Sequence, residues 1–314
     1  MPHVITIGEV LVEFMAKNID QKFYITGEFT GPYPSGAPAI FIDQVAKLGT
    51  SGGIISKVGF DDFGKLNYDR LKSDGVDVKY FSFTNEGATG VAFVSYKNNG
   101  DRDFIFHLKN SATGFLNIDD IHEEYFDDCN FYHIMGSSLF NDNIRNAVEK
   151  AISIAKKNNI KISFDPNLRK EILQDESYKN FINYILEECH IFLPSEEELK
   201  LITGIEDEET SIHFLLDKGI EYIVVKRGKK GCTVYDKNNK VTFAPIKVEE
   251  IDPTGAGDCF DGTFISFLDK GFDVKTAALY ANAAGAIAVT RKGPMEGTST
   301  LREVEEFLKS QSNI

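Results

Sequence analysis

Phe131-Tyr132-His133-Ile134-Met135, then Asn143–Lys157, then Ile160-Lys161-Ile162-Ser163-Phe164 read as strand, helix, strand. The two flanking runs are short, β-branched or aromatic, and apolar almost throughout, which suits strands buried on both faces. The segment between them repeats apolar residues at helical spacing. A strand that returns through a helix must lie parallel to the first, so this stretch predicts an α/β fold with a mainly parallel sheet. The same rhythm extends outward through Val4–Ile7, Ile54–Val58, Ile191–Leu193 and Tyr222–Val225, with further helices expected over Ala39–Leu48 and Lys179–Glu188. Helices on both faces of the sheet follow, and no repeat or linker divides residues 1–314, so a single α/β domain is expected.

Two stretches break the rhythm. Val91–Tyr96 and Asp103–Leu108 flank the turn Asn98-Asn99-Gly100-Asp101 and read as a hairpin within 88–108. Residues 9–33 also look extended, with Phe23, Ile25 and Phe29 alternating with polar neighbours. Together they suggest a small β lid over one edge of the body; an ordinary surface hairpin is the competing reading.

Composition narrows the function. The chain has 34 basic and 48 acidic residues, a formal net charge of −14, and 42% apolar residues. Its longest basic cluster is Lys226-Arg227 with Lys229-Lys230, too little to neutralise a run of phosphates. Nucleic acid and anionic membrane are therefore not expected partners. Cys129, Cys189, Cys232 and Cys259 are far apart and form no metal-binding or disulfide pattern. Val4–Ile7 begins a strand rather than a signal peptide, and no apolar run reaches the roughly 18 residues of a membrane span. A cytoplasmic protein is expected.

In parallel sheets, ligands bind beyond the carboxyl ends of the strands. Those ends here carry Gly8-Glu9 and Glu13, Gly136-Ser137-Ser138, Asp165-Pro166-Asn167-Leu168-Arg169, Pro194-Ser195-Glu196-Glu197-Glu198 and Lys226-Arg227-Gly228. The sharpest segment is Ile251-Asp252-Pro253-Thr254-Gly255-Ala256-Gly257-Asp258. Phe260, Phe264, Phe267 and Leu268 then repeat at helical spacing, which sets Gly255, Ala256 and Gly257 at a helix N-terminus. Free N–H groups and the positive end of the helix dipole bind anions there. A carboxylate beside an anion hole makes chemical sense if it takes a proton, as phosphoryl transfer to a hydroxyl requires. Asp258 is placed to do so; in isolation, it would merely favour the helix dipole. There is no P-loop, and Phe260 fills the third glycine position of a dinucleotide fingerprint.

These motifs, in this order over nearly the whole chain, resemble the PfkB/ribokinase family of carbohydrate kinases. The resemblance rests on Gly8–Glu13, Ser35-Gly36-Ala37-Pro38-Ala39, the segments after the strands, Lys226–Gly231, Asp252–Asp258 and Asn282-Ala283-Ala284-Gly285-Ala286. It implies a ribokinase-like fold and an ATP- and Mg²⁺-dependent kinase, with Asp258 as base and Gly255, Ala256 and Gly257 as the anion hole. By the same resemblance, Glu13, Gly36 and Arg169 contact the sugar, and Glu198 organises Mg²⁺ through water. Ser195, Lys226, Gly228, Gly231 and Asn282 border the nucleotide. Asp252, Thr254, Ala288 and Gly293 hold a K⁺ beside the hole, unless Arg291 or Lys292 tucks a cation there instead. A homodimer through the lid is the assembly the resemblance allows.

The chain departs from the family pattern at Glu13, often Asp, at Ser35, often Gly, and at Ser195, often Asn. Ile40 stands where ribokinases have Asn. Thr89–Val94 and Asp165–Arg169 look most like fructokinases, with 2-keto-3-deoxygluconate kinases also close. Leu108 stands where an acid sugar would be met by a lid arginine, which favours a neutral ketohexose such as fructose or tagatose. A non-catalytic sugar- or nucleoside-binding regulator is the alternative from another class, although such a protein would be expected to lose its base.

Overall fold

A computed structural model of the chain describes residues 1–168 and 175–311. Its strands are β1 Val4–Ile7, β2 Leu11–Ala16, β3 Phe29–Ser35, β4 Gly52–Gly59, β5 Phe81–Thr84, β6 Gly90–Tyr96, β7 Arg102–His107, β8 Phe131–Met135, β9 Lys161–Asp165, β10 Ile191–Phe192, β11 Tyr222–Lys226, β12 Cys232–Tyr235 and β13 Lys240–Phe243. The helices are α1 Ala37–Lys47, α2 Asp62–Ser73, α3 Asp142–Lys157, α4 Glu176–Glu188, α5 Glu196–Thr203, α6 Glu208–Asp217, α7 Ala256–Asp269, α8 Val274–Ala288 and α9 Leu301–Gln311.

Nine strands form the main sheet in the order β13-β12-β11-β10-β9-β8-β1-β4-β5, parallel from β11 to β5 and antiparallel from β11 to β13. The strand–helix–strand unit expected around residue 150 is β8, α3 and β9, with Phe131 opposite Lys161. Asn141 starts α3 by accepting the Ile144 N–H through its side chain, as a helix N-cap should. Two apolar cores cover the two faces. One joins α3, α4 and α6 to the sheet through Val148, Ile152, Ile185 and Leu215; the other joins α1, α7 and α8 through Phe41, Phe264 and Ala281. The chain moves outward from β1 in both directions, to β4 on one side and β8 on the other. The carboxyl ends of β1 and β8 thus open a crevice between diverging connections.

A second, four-stranded sheet of order β3-β2-β6-β7 is the lid. The hairpin β6–β7 forms as read from the sequence, with Tyr96 opposite Arg102. Within 9–33 the outcome differs. β2 and β3 are strands, but 17–28 is a loop in which Phe23 and Ile25 lie in turns. Alternation there did not mark a strand because Ile25 is exposed, so no buried face rewards the pattern. Among the described residues, no helix is long and apolar enough to cross a membrane.

Candidate active site

Helix α7 begins at Gly255, whose φ of 79° is left-handed and whose Cβ, if present, would lie 2.5 Å from the Pro294 carbonyl oxygen. Only glycine meets both conditions, so the residue is fixed by backbone geometry. No side chain caps this helix. Its first N–H groups therefore remain free to meet an anion, Ala256 N making only a long 3.4 Å bond to Pro253 O. A Cβ on Gly257 would meet only Lys226 Nζ, at 3.8 Å.

Within the same first turn, Asp258 is buried, with Oδ1 accepting a 3.3 Å hydrogen bond from Asn167 Nδ2. Burial raises its pKa to about 8, and the carboxylates of Asp165, Glu9 and Glu13 add to the rise against the opposing Lys226 ammonium. A carboxyl poised near neutrality suits proton transfer. Behind it, Lys226 Nζ donates 2.8 Å bonds to both Asp165 and Asp261. Burial disfavours the lysine charge, but the two aspartates outweigh it and raise its pKa. The pair splits the other way: burial pushes Asp261 well up, while Lys226 overcomes burial at Asp165 and holds it low. Lys226 was expected along the nucleotide phosphates. It is half-buried and pairs with both aspartates behind Gly257, because a cation inside the protein needs carboxylates around it.

Asp258, Gly255, Gly257 and Thr254 line a cleft of about 1380 Å³ whose opposite wall is the lid and the 17–28 loop. Glu13 and Gly36, the expected sugar contacts, line it too. Glu13 accepts a 2.6 Å bond from Ser35 Oγ. Gly36, with φ 116°, sits against the Glu9 carbonyl, which a Cβ would approach to 2.4 Å. Arg169, the third expected contact, lies outside the described residues. Leu108 does not face the cleft: it is buried with Leu11 and Ala92 beneath the lid sheet. Among the β7 residues that do line it are Arg102, Phe104 and Phe106.

The nucleotide-side candidates lie at other loops. Ser195 and Glu198 form a capping box at the start of α5: Glu198 N–H donates to Ser195 Oγ, and Glu198 Oε2 accepts from Ser195 N and Oγ at 2.7 Å each. Glu198 Oε1 accepts one bond from Leu168 N and keeps a lone pair, which fits a contact to Mg²⁺ through water. Among the described residues, no cluster of three His, Cys, Asp or Glu side chains could hold a metal directly. Gly228 opens a turn after β11, and Gly231 closes it with φ 89°. Asn282 on α8 donates to the Ala244 carbonyl.

Asp252 is buried, and its two oxygens accept 3.0 Å bonds from the N–H groups of Thr254 and Gly293, tying the two loops together. It has no ion-pair partner among the described residues, so this buried carboxylate, with Thr254 two residues on and the loop from Ala288 to Gly293 joined to it through the Gly293 N–H, fits a hard monovalent cation. Arg291, the expected rival for that place, is occupied with Glu303 and the Thr298 carbonyl.

Residues 1–301 match the family described as pfkB family carbohydrate kinase. The chain belongs to that family. "Probable fructokinase-5" of Arabidopsis thaliana is 30% identical over 99% of this chain and 98% of its own length. A "putative Ribokinase II" from E. coli is 50% identical, with a TM-score of 0.95 over 99% of this chain and all of its own. That E. coli protein has also been solved in complex with ATP and Mg²⁺. A double-mutant fructokinase from Vibrio cholerae, bound to fructose, ADP and potassium ion, is 28% identical with a TM-score of 0.89 over 98% of both chains. This pfkB protein is thus a carbohydrate kinase, a phosphotransferase with an alcohol group as acceptor.

Asn167 and Arg102 also line the cleft, although neither stood out in the sequence as a site residue. Asn167 lay inside a quoted motif, and its strained φ of 37° is a signal only coordinates reveal. Glu9 was noted at a strand end but given no role. It is held by the hydroxyls of Ser137, at 2.8 Å, and Ser138.

Proposed function

We propose that this kinase transfers the γ-phosphate of Mg-ATP to a hydroxyl of a neutral ketohexose, with fructose and tagatose the leading candidates. The observation that carries the phosphoryl-transfer chemistry is Asp258, buried in the first turn of an uncapped helix and facing the cleft beneath the lid. In this reading, the Asp258 carboxylate takes the proton of the sugar hydroxyl as its oxygen forms a bond to Pγ. The bond from Pγ to the β-phosphate oxygen breaks, and its electron pair leaves with ADP. The N–H groups of Gly257 and Asp258 hold the moving phosphoryl oxygens. Ser195, Gly228, Gly231 and Asn282 border the nucleotide, and Glu198 holds the water shell of Mg²⁺, which supplies positive charge to the phosphates when bound.

The ketohexose assignment is supported by the fructokinase relatives and by the mixed lining of the cleft. Phe104, Phe106 and Ile40 offer apolar walls, and Glu13 and Asn167 offer acceptors and donors for hydroxyls. Arg102 on the cleft wall favours a second reading, 2-keto-3-deoxygluconate, whose carboxylate wants a guanidinium. ADP release measured on fructose, tagatose, ribose and 2-keto-3-deoxygluconate separates them. The expected order of kcat/KM puts a ketohexose first, and a preference for the acid sugar overturns it.

A further inference from the structure

Arg102 begins β7 in the lid, yet its side chain ends at the body. Its Nη1 donates a 2.9 Å hydrogen bond to Thr254 Oγ1, and Thr254 directly precedes the glycine that starts α7. This reach is built in. The guanidinium carbon lies 5.4 Å from the centre of the Phe104 ring, which restricts its swing. Tyr96, its cross-strand neighbour, faces the same loop: burial and then the nearby Asp252 carboxylate raise the pKa of its hydroxyl. Two adjacent lid side chains thus converge on the entrance to the anion hole.

The charge pattern gives this contact a chemical meaning. Glu9, Glu13 and Asp165 lie close enough to Asp258 to raise its pKa, so negative charge gathers at this end of the cleft, and Lys226 is committed to Asp165 and Asp261. Of the cations that line the cleft among the described residues, Lys97 is paired with Asp103 and Lys22 is exposed to solvent. Arg102 is half-buried and has no carboxylate partner among those residues; its hydrogen-bond acceptor is a neutral hydroxyl, Thr254 Oγ1. An arginine held on a hydroxyl keeps its full charge and most of its donors available for an anion.

We propose that Arg102 is a further catalytic residue: a lid-borne guanidinium that binds the phosphoryl group in transit at the mouth of the anion hole. The Thr254 contact is its resting position. When the sugar and Mg-ATP meet, the guanidinium bonds to the equatorial phosphoryl oxygens opposite the α7 amides. Lid position and transition-state charge are thereby coupled. The proposal rests on the reading of Asp258 and α7 as the transfer site.

The test compares the wild type with Arg102→Gln, Arg102→Ala and Asp258→Asn on whichever sugar the wild type prefers. Glutamine keeps a donor for Thr254 without the charge, so it separates a lid staple from a phosphoryl clamp. The expected result is a loss in kcat of about 10²–10³-fold in both Arg102 variants, the range for removing one preorganised donor, with sugar KM little changed. Calorimetric affinity for ADP with aluminium fluoride and sugar, a mimic of the group in transit, should fall by a similar factor, while affinity for ADP alone holds. Near-normal kcat in Arg102→Gln, or a loss taken in sugar KM with kcat kept, overturns the clamp and makes Arg102 a staple or a sugar contact. Asp258→Asn keeps the two ideas apart: if it remains active, the transfer site itself is wrong. If it is inactive while both Arg102 variants turn over normally, the clamp alone fails.

Discussion

As the proposed base, Asp258 has to be a carboxylate when the hydroxyl arrives, yet its surroundings favour the acid. Burial is the largest cause, with Asp165, Glu9 and Glu13 adding to it. With a pKa of about 8 in the free protein, the Asp258 carboxyl is mostly protonated at neutral pH. The expectation is a kcat/KM that rises with pH toward about 8, since that parameter reports the free enzyme. Asp258→Asn should lower turnover by roughly 10²–10⁴-fold with little change in sugar affinity. The same variant makes a stability prediction of definite sign. Between the ordinary aspartate range and about 8, the folded protein binds a proton at Asp258 that the unfolded chain does not, so wild-type stability falls as pH rises through that window. An asparagine carries no such penalty. Thermal melts should therefore show Asp258→Asn gaining on the wild type from pH 5 to pH 9; a gap that stays flat would mean the carboxyl titrates normally. The place of Asp258 at the start of α7 could be read from the sequence because its motif is local, four residues at the start of one helix. Asn167 and Arg102 reach it across 91 and, at Thr254, 152 positions of chain, and no spacing rule spans such separations.

At the scale of elements, the proposed anion hole depends on how α7 starts. Gly255→Ala would force an L-residue into left-handed geometry, at about 1–2 kcal/mol, and drive its Cβ against the Pro294 carbonyl. The helix start and the 288–294 loop must then shift together. The expected outcome is a lower Tm and a larger loss in kcat than in sugar KM; an alanine variant with wild-type kcat would show that the amides need no such placement. Elements buried on both faces were the ones most legible in sequence. β1 and β8 have the bounds their apolar runs suggested, and α3 begins one residue before its expected start. The failures occur where burial is one-sided or absent. The loop 17–28 carries an alternating pattern without a face to bury, and Leu108 was taken for a cleft residue because register across the lid is not written in β7 alone. The pairing of Val91 with His107 places Leu108 just past the strand, folded under Leu11.

At the scale of the whole molecule, the loop carrying Asp252 is where three distant parts of the chain meet. The α7 start comes from one side, residues 288–293 from another, and the lid hairpin arrives through Tyr96 and Arg102. Asp252 ties the first two through the N–H groups of Thr254 and Gly293 and carries a buried charge with no ion pair among the described residues. The Ala288 carbonyl, which accepts one 3.2 Å bond from Arg291 N, retains a second lone pair. Arg291 itself points to Glu303, and Lys292 is exposed, so neither fills the place that the sequence left open to them. A bound K⁺ would balance Asp252 and stiffen the backbone dipoles whose N–H groups face the phosphate. We therefore expect initial rates in Tris buffer to be higher with KCl than with choline chloride at equal ionic strength. Asp252→Ala should abolish that response while a thermal melt still reports a cooperative fold. A rate indifferent to K⁺, in reagents free of K⁺ and NH₄⁺, would mean that Asp252 serves only to tie the loops. A K⁺ response that survives in Asp252→Ala would place the ion elsewhere in the protein.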